Sequence, residues 1–174
     1  IMDTEGKKII DWSELSPDDV VIIPAFGTTL EIEAKLHEIG IEVQKYNTTC
    51  PFVEKVWKQS EKLGMENCTV IIHGKHKHEE TRATFSHSVK SAPSLIIKDI
   101  NEAKMLGSVI LGKTPSGEFY TVFEGRFSME FMVDKDLEKV GVVNQTTMLA
   151  SETQEIADYL KKIIWPFSPL YYSW

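Results

Sequence analysis

"CTVIIHGKHKHEETRATFSHS", residues 68–88, decides how the chain is read. An apolar, β-branched run at Val70–Ile72 stops at Gly74. A dense polar stretch follows, and then "EETRATFSHS" reads as a helix. Continuous apolar runs, here and in "VVIIPA" (20–25), are the mark of strands covered on both faces, as in parallel sheets.

The same alternation extends both ways. Towards the C-terminus, "SLIIKD" (94–99) reads as a strand. "NEAKMLGSVILG" (101–112) reads as a helix capped at Asp99 or Asn101, and "TPSG" (114–117) as a turn. Residues 118–133 lean towards helix. "KVGVVNQ" (139–145) is a strand. "ASETQEIADYLKKII" (150–164) is a helix with Ser151 or Thr153 as cap and Ile156, Ala157, Leu160, Ile163 and Ile164 on its apolar face. Towards the N-terminus, "PFVEKVWKQSEKLG" (51–64) has Pro51 at the first helical position and Val53, Val56, Trp57 and Ser60 at helical spacing. "IEVQKY" (41–46) reads as a strand. "FGTTLEIEAKLHEIG" (26–40) offers Thr28 or Thr29 as N-cap and Gly40 as stop. Repeated β–α units imply an α/β fold of parallel sheets with helices on both faces. Ligands of such folds bind at the carboxyl ends of the strands.

With 174 residues, the chain is long enough for one ordinary domain or two small ones. Two α/β units are expected: a partial one over 1–50 and a fuller one over 51–164. The last ten residues, "WPFSPLYYSW" (165–174), form an atypical aromatic tail without helix or strand periodicity. A net charge of -7, with both signs interspersed, argues against nucleic acid or an anionic membrane surface as the main partner. No apolar run approaches the length of about 18 residues that a membrane span needs. Two cysteines cannot make a disulfide framework, so the chain reads as intracellular. It starts at Ile1, and a targeting segment would lie upstream of that start.

Three polar clusters follow predicted strands. Cys50 sits between Thr49 and Pro51, in the N-cap region of a helix, where the helix dipole favours an anionic sulfur. It could be a nucleophile, a metal ligand or a small buried residue. "HGKHKHEE" packs His73, His76, His78, Glu79 and Glu80 into one loop. That density suits metal or phosphate binding, and His78 with Glu80 could handle protons at a helix start. A solvated polar turn is the simpler alternative. "NQTTML" (144–149) puts an amide and two hydroxyls after a strand, which suits an oxygen-rich ligand or simple capping by Thr146 or Thr147. Cys68 reads as a core residue, and His37 and His87 as surface positions on helices.

Three segments, "TTCPFVEKVW", "HGKHKHEETRAT" and "GVVNQTTML", resemble in order and spacing the 4-hydroxy-3-methylbut-2-enyl diphosphate reductases, the LytB or IspH family. The likeness runs from about residue 18 to about 164 and is nearest the plant and cyanobacterial branch. It implies a three-lobed α/β enzyme with a central [4Fe-4S] cluster held by one cysteine from each lobe. It further implies reductive dehydroxylation of an allylic diphosphate to isopentenyl and dimethylallyl diphosphate, the last step of the non-mevalonate isoprenoid pathway. By this resemblance Cys50 is the middle metal ligand, His78 contacts the substrate diphosphate, Glu80 delivers a proton, and Thr146 lies beside the substrate hydroxyl. An electron donor such as ferredoxin or flavodoxin is implied, as is a plastid stroma in a plant-like eukaryote or the cytoplasm in a cyanobacterium. Phe26 stands where many bacterial members have a histidine. The family's "GxCxGV" segment, its "HN" motif and its third cysteine have no counterpart here, so the chain is expected to be a fragment, inactive alone, without the start of the first lobe and without the third. The competing readings are a thiol hydrolase or transferase using Cys50, His78 and Glu80, and a non-catalytic phosphate-binding domain.

Overall fold

The structure, a computed structural model, describes residues 11–164 and the backbone of 172–173. Its centre is a parallel sheet in the order β2-β1-β3-β4. β1 (Thr69–His73) pairs with β2 (Ser94–Ile97) on one side and β3 (Val140–Asn144) on the other. β1 and β2 are buried at every position, and β3 at all but Asn144. That is why these runs are apolar without alternation.

Each face of the sheet has its own core. Ile71, Leu95, Ile97, Val140 and Val142 lie under α4 (Ile100–Ile110) and α7 (Ala150–Ile164), with Phe119, Phe123 and Phe131 completing that side. Val70, Ile72, Ile96 and Val143 pack with Leu63 of α2 (Pro51–Met65) and Phe85 of α3 (Glu79–Val89). The result is three layers, helix on sheet on helix. The caps follow local chemistry. Gly40 ends α1 (Leu30–Ile39) in the left-handed region at φ 92°. Pro51 opens α2, and the Asp99 carboxylate accepts from the backbone N–H groups of Asn101 and Glu102 to start α4. Ser151 and Thr153 lie inside α7, which already begins at Ala150.

Several expectations are corrected. Residues 20–25 and 41–46 are not strands. The first run contributes one parallel bridge, Ile23 with Asn47, and the second coils into a 3₁₀ turn at Val43–Tyr46. Pro24 has no N–H to donate, and the chain turns at once, Gly27 N–H donating to the Pro24 carbonyl at 2.9 Å. Val20 and Ile22 are left exposed, while Ile23, Leu36, Ile41 and Val43 form a small third core. Within 114–133 there is a short helix, α5 (Ser116–Val122), which starts inside the expected turn; α6 (Val133–Asp136) follows after irregular chain. Most of the 165–174 tail lies outside the described residues. The backbone of Tyr172–Ser173 forms β4, pairing with Gly141 and Val142 of β3.

Candidate functional site

The carboxyl ends of β1 and β3 lie side by side, His73 in register with Asn144. Two loops leave from there, residues 74–78 into α3 and residues 145–149 into α7. Gly74 lets them approach. A Cβ at that position would stand 2.6 Å from Thr81 Oγ1 and 3.1 Å from Gln145 Cβ.

Gln145, 2% exposed, joins the two loops. Its Oε1 accepts from the Thr81 hydroxyl (2.9 Å) and from Lys75 N–H (3.2 Å), and its amide donates to Thr147 Oγ1 (2.7 Å). Glu80, 3% exposed, sits in the first turn of α3, and its Oε1 accepts the backbone N–H of Thr146 at 2.5 Å. The Thr146 N–H gives this buried side chain a hydrogen-bond partner in place of lost water. His78 caps α3: its Nδ1 accepts from Glu80 N–H at 3.2 Å. The other ring nitrogen of the exposed His78 is then free to donate outward. Phe26 meets the His78 ring edge-on, with centroids 6.4 Å apart.

Cys50 is the N-cap of α2, its side chain making no cap bond and its backbone N–H donating to the Ala25 carbonyl at 2.7 Å. It is partly exposed and lines a cavity of about 680 Å³ together with Phe52, Lys55, Gln59, Asn144 and Thr146. The structure therefore links Glu80, His78 and Thr146 through direct hydrogen bonds, and brings Cys50 and Thr146 to one cavity. Sequence reading did not single out Gln145 or Thr81 as the hinge between these groups, although both lie in the segments that carry the resemblance. His76 and Lys77 remain exposed in the loop.

Cys68 is 1% exposed and precedes β1, at the end of the sheet opposite Cys50. Burial raises its thiol above the ordinary value, partly countered by Lys139. Among the described residues no three or more His, Cys, Asp or Glu side chains come together as a metal-holding set. The described residues alone thus do not fit a four-iron cluster, which needs several thiolates. His37 is exposed, as expected. His87 is half-buried rather than fully exposed: its ring stacks flat on Trp57, centroids 3.7 Å apart. Burial holds His87 below the ordinary imidazole value.

The LytB protein family matches residues 2–167. Two proteins of Prochlorococcus marinus carry the name 4-hydroxy-3-methylbut-2-enyl diphosphate reductase. That of strain AS9601 is 48% identical over 154 residues, covering 88% of this chain and 37% of its own length. That of strain NATL1A is 45% identical over 159 residues, covering 91% and 38%. The chain thus spans little more than a third of these relatives. Among solved structures, an (E)-4-hydroxy-3-methyl-but-2-enyl diphosphate reductase superposes with a TM-score of 0.67 at 20% identity, covering 98% of this chain and 49% of that one. The Plasmodium falciparum E-1-hydroxy-2-methyl-but-2-enyl-4-diphosphate reductase gives 0.62, also at 20% identity, covering 97% and 43%. These two likenesses concern the fold. With nearly the whole of its length matched by the family, and with cyanobacterial relatives close to half identical, the chain belongs to the LytB family.

Proposed function

We propose that this chain supplies one wall of the active site of a 4-hydroxy-3-methylbut-2-enyl diphosphate reductase. The observation that carries the reading is the Glu80–Thr146 hydrogen bond, which ties the start of α3 to the loop after β3 at the cavity that Cys50 lines. In the reaction, two electrons and two protons enter, the allylic C–O bond breaks, and the hydroxyl leaves as water. In this reading Glu80 gives the proton that turns hydroxide into water. The Thr146 hydroxyl, one residue side chain away, holds the substrate oxygen. His78, its Nδ1 occupied by the Glu80 N–H, offers its other nitrogen to a diphosphate oxygen.

The electrons would come through a [4Fe-4S] cluster, to which Cys50 would contribute one thiolate. A carrier such as ferredoxin or flavodoxin would feed it. The compartment follows the source: cytoplasm in a cyanobacterium, plastid stroma in a plant-like eukaryote.

The test is Glu80→Gln in a completed enzyme, meaning a full-length Prochlorococcus relative in which these residues replace the matching segment. Glutamine keeps the size but carries no transferable proton. Turnover is expected to fall about 100- to 10,000-fold with KM little changed, as for loss of a general acid. A raised KM with near-normal turnover would make Glu80 a binding group and overturn the assignment.

A further inference from the structure

His73 closes β1 and is 1% exposed. By the pleat, its side chain falls on the same face as Ile71, among the apolar residues under α4 and α7. An imidazole buried there needs polar partners to offset its desolvation. Nδ1 lies 2.8 Å from Thr153 Oγ1. Thr153 Oγ1 also lies 3.2 Å from the Leu149 carbonyl, so the ring and that carbonyl meet on one hydroxyl. Burial holds the ring below the ordinary imidazole value, against the opposing pull of Glu152, a Lys98 backbone hydrogen bond and Asp99.

The backbone of the same residue does a second job. The His73 carbonyl accepts the Gln145 N–H at 2.9 Å. One residue thus fastens both ends of the 145–149 loop: Gln145 through its carbonyl, and Leu149, by way of Thr153, through its ring. Thr146 lies inside that loop, its N–H on Glu80.

We propose that His73 is a positioning residue, whose ring holds the 145–149 loop in the conformation that sets Thr146 against Glu80. Its effect on turnover rests on the reductase reading; its effect on the loop does not.

Five variants of the completed enzyme test this: His73→Phe, His73→Asn, Thr153→Val, Thr153→Ser and the double variant His73→Phe with Thr153→Val. Phenylalanine fills the space without a donor, whereas the asparagine amide can place a nitrogen where Nδ1 stands. His73→Phe and Thr153→Val are each expected to lower kcat about three- to tenfold, the scale of one lost hydrogen bond, with KM changed less than about twofold. The double variant should be no worse than either single one. His73→Asn and Thr153→Ser should stay near the parent. Hydrogen exchange is read in parallel at the amides of Gln145, Thr146 and Met148, all of which are hydrogen-bonded. It should quicken in His73→Phe and not in His73→Asn. Unchanged exchange in His73→Phe overturns the proposal, as does an equal loss of turnover in His73→Asn. A parent enzyme without turnover defeats the reductase reading instead, and exchange alone then decides the role of His73.

Discussion

Two histidines, the buried His73 and the half-buried His87, are held below the ordinary imidazole value of 6.5 by desolvation. In the unfolded chain both titrate at that ordinary value. Below it the unfolded chain takes up protons that the folded chain refuses, so the contribution of these sites is complete above 6.5 and is lost as pH falls towards the lowered values. The urea midpoint of this chain should therefore drop between about pH 7.5 and about pH 5.5, above the range where carboxylates protonate. His87→Phe should flatten that dependence; a midpoint that is level across the window would rule out the linkage. At this scale the sequence was partly legible. Residues that follow a strand in a parallel sheet arrive at one end of it, which is how His78, Glu80 and Thr146 come to be neighbours. The tasks of Gln145 and His73 could not be read, because a buried polar side chain is defined by partners distant in sequence. His87 misled for the same reason: its helix face is covered by Trp57, thirty residues earlier.

Between elements, α2 approaches the chain after α3 backbone to backbone at Gly64. A Cβ on Gly64 would meet the Ser91 carbonyl oxygen at 2.5 Å and its carbon at 2.9 Å. Backbone cannot swing aside as a side chain can. At Gly141 the nearest atoms belong to the Leu63 side chain, which has other rotamers. Gly64→Ala gains at most about 1 kcal/mol of helix propensity and meets an overpacking cost of about 1–3 kcal/mol. A net loss of up to about 2 kcal/mol is expected in chemical denaturation, and an unchanged or raised midpoint would refute the close approach. β1, β2, β3 and the long helices were readable from period and caps, since each buries a continuous face. The segments 20–25 and 41–46 were not. Their apolar residues do enter a core, at Ile23, Ile41 and Val43, but strand pairing needs a partner edge, and only Ile23 and Asn47 find one. The stretch 118–133 was ambiguous because Phe119, Phe123, Phe127 and Phe131 recur at helical spacing while the backbone leaves the helix after Val122; the rings cluster regardless.

At the scale of the whole molecule, the cysteines lie at opposite ends of the sheet. Cys50 is the only cysteine at the site end of the sheet, Cys68 being buried at the other end. The chain by itself is therefore expected to assemble no stable four-iron cluster and to show no reductase activity. Anaerobic reconstitution with iron and sulfide, followed by visible absorbance and an assay with a chemical electron donor, checks this. One intact cluster per chain with turnover would mean that other residues complete the ligand set. A cluster shared among several chains, without turnover, would show that Cys50 binds iron in the absence of its usual companions.

The order of the strands also sets a timetable. β1 is central, yet one of its two partners, β3, begins only at Val140, whereas β2 follows directly after α3. Closing the nearer loop costs less chain entropy, so the β1–α3–β2 unit is the natural first product of folding. During synthesis it emerges while residues 140–144 are still to be made, and until they arrive the second edge of β1 stands uncovered. A nascent chain halted before Val140 would present that edge to any extended partner, making this interval the one in which aggregation competes with folding.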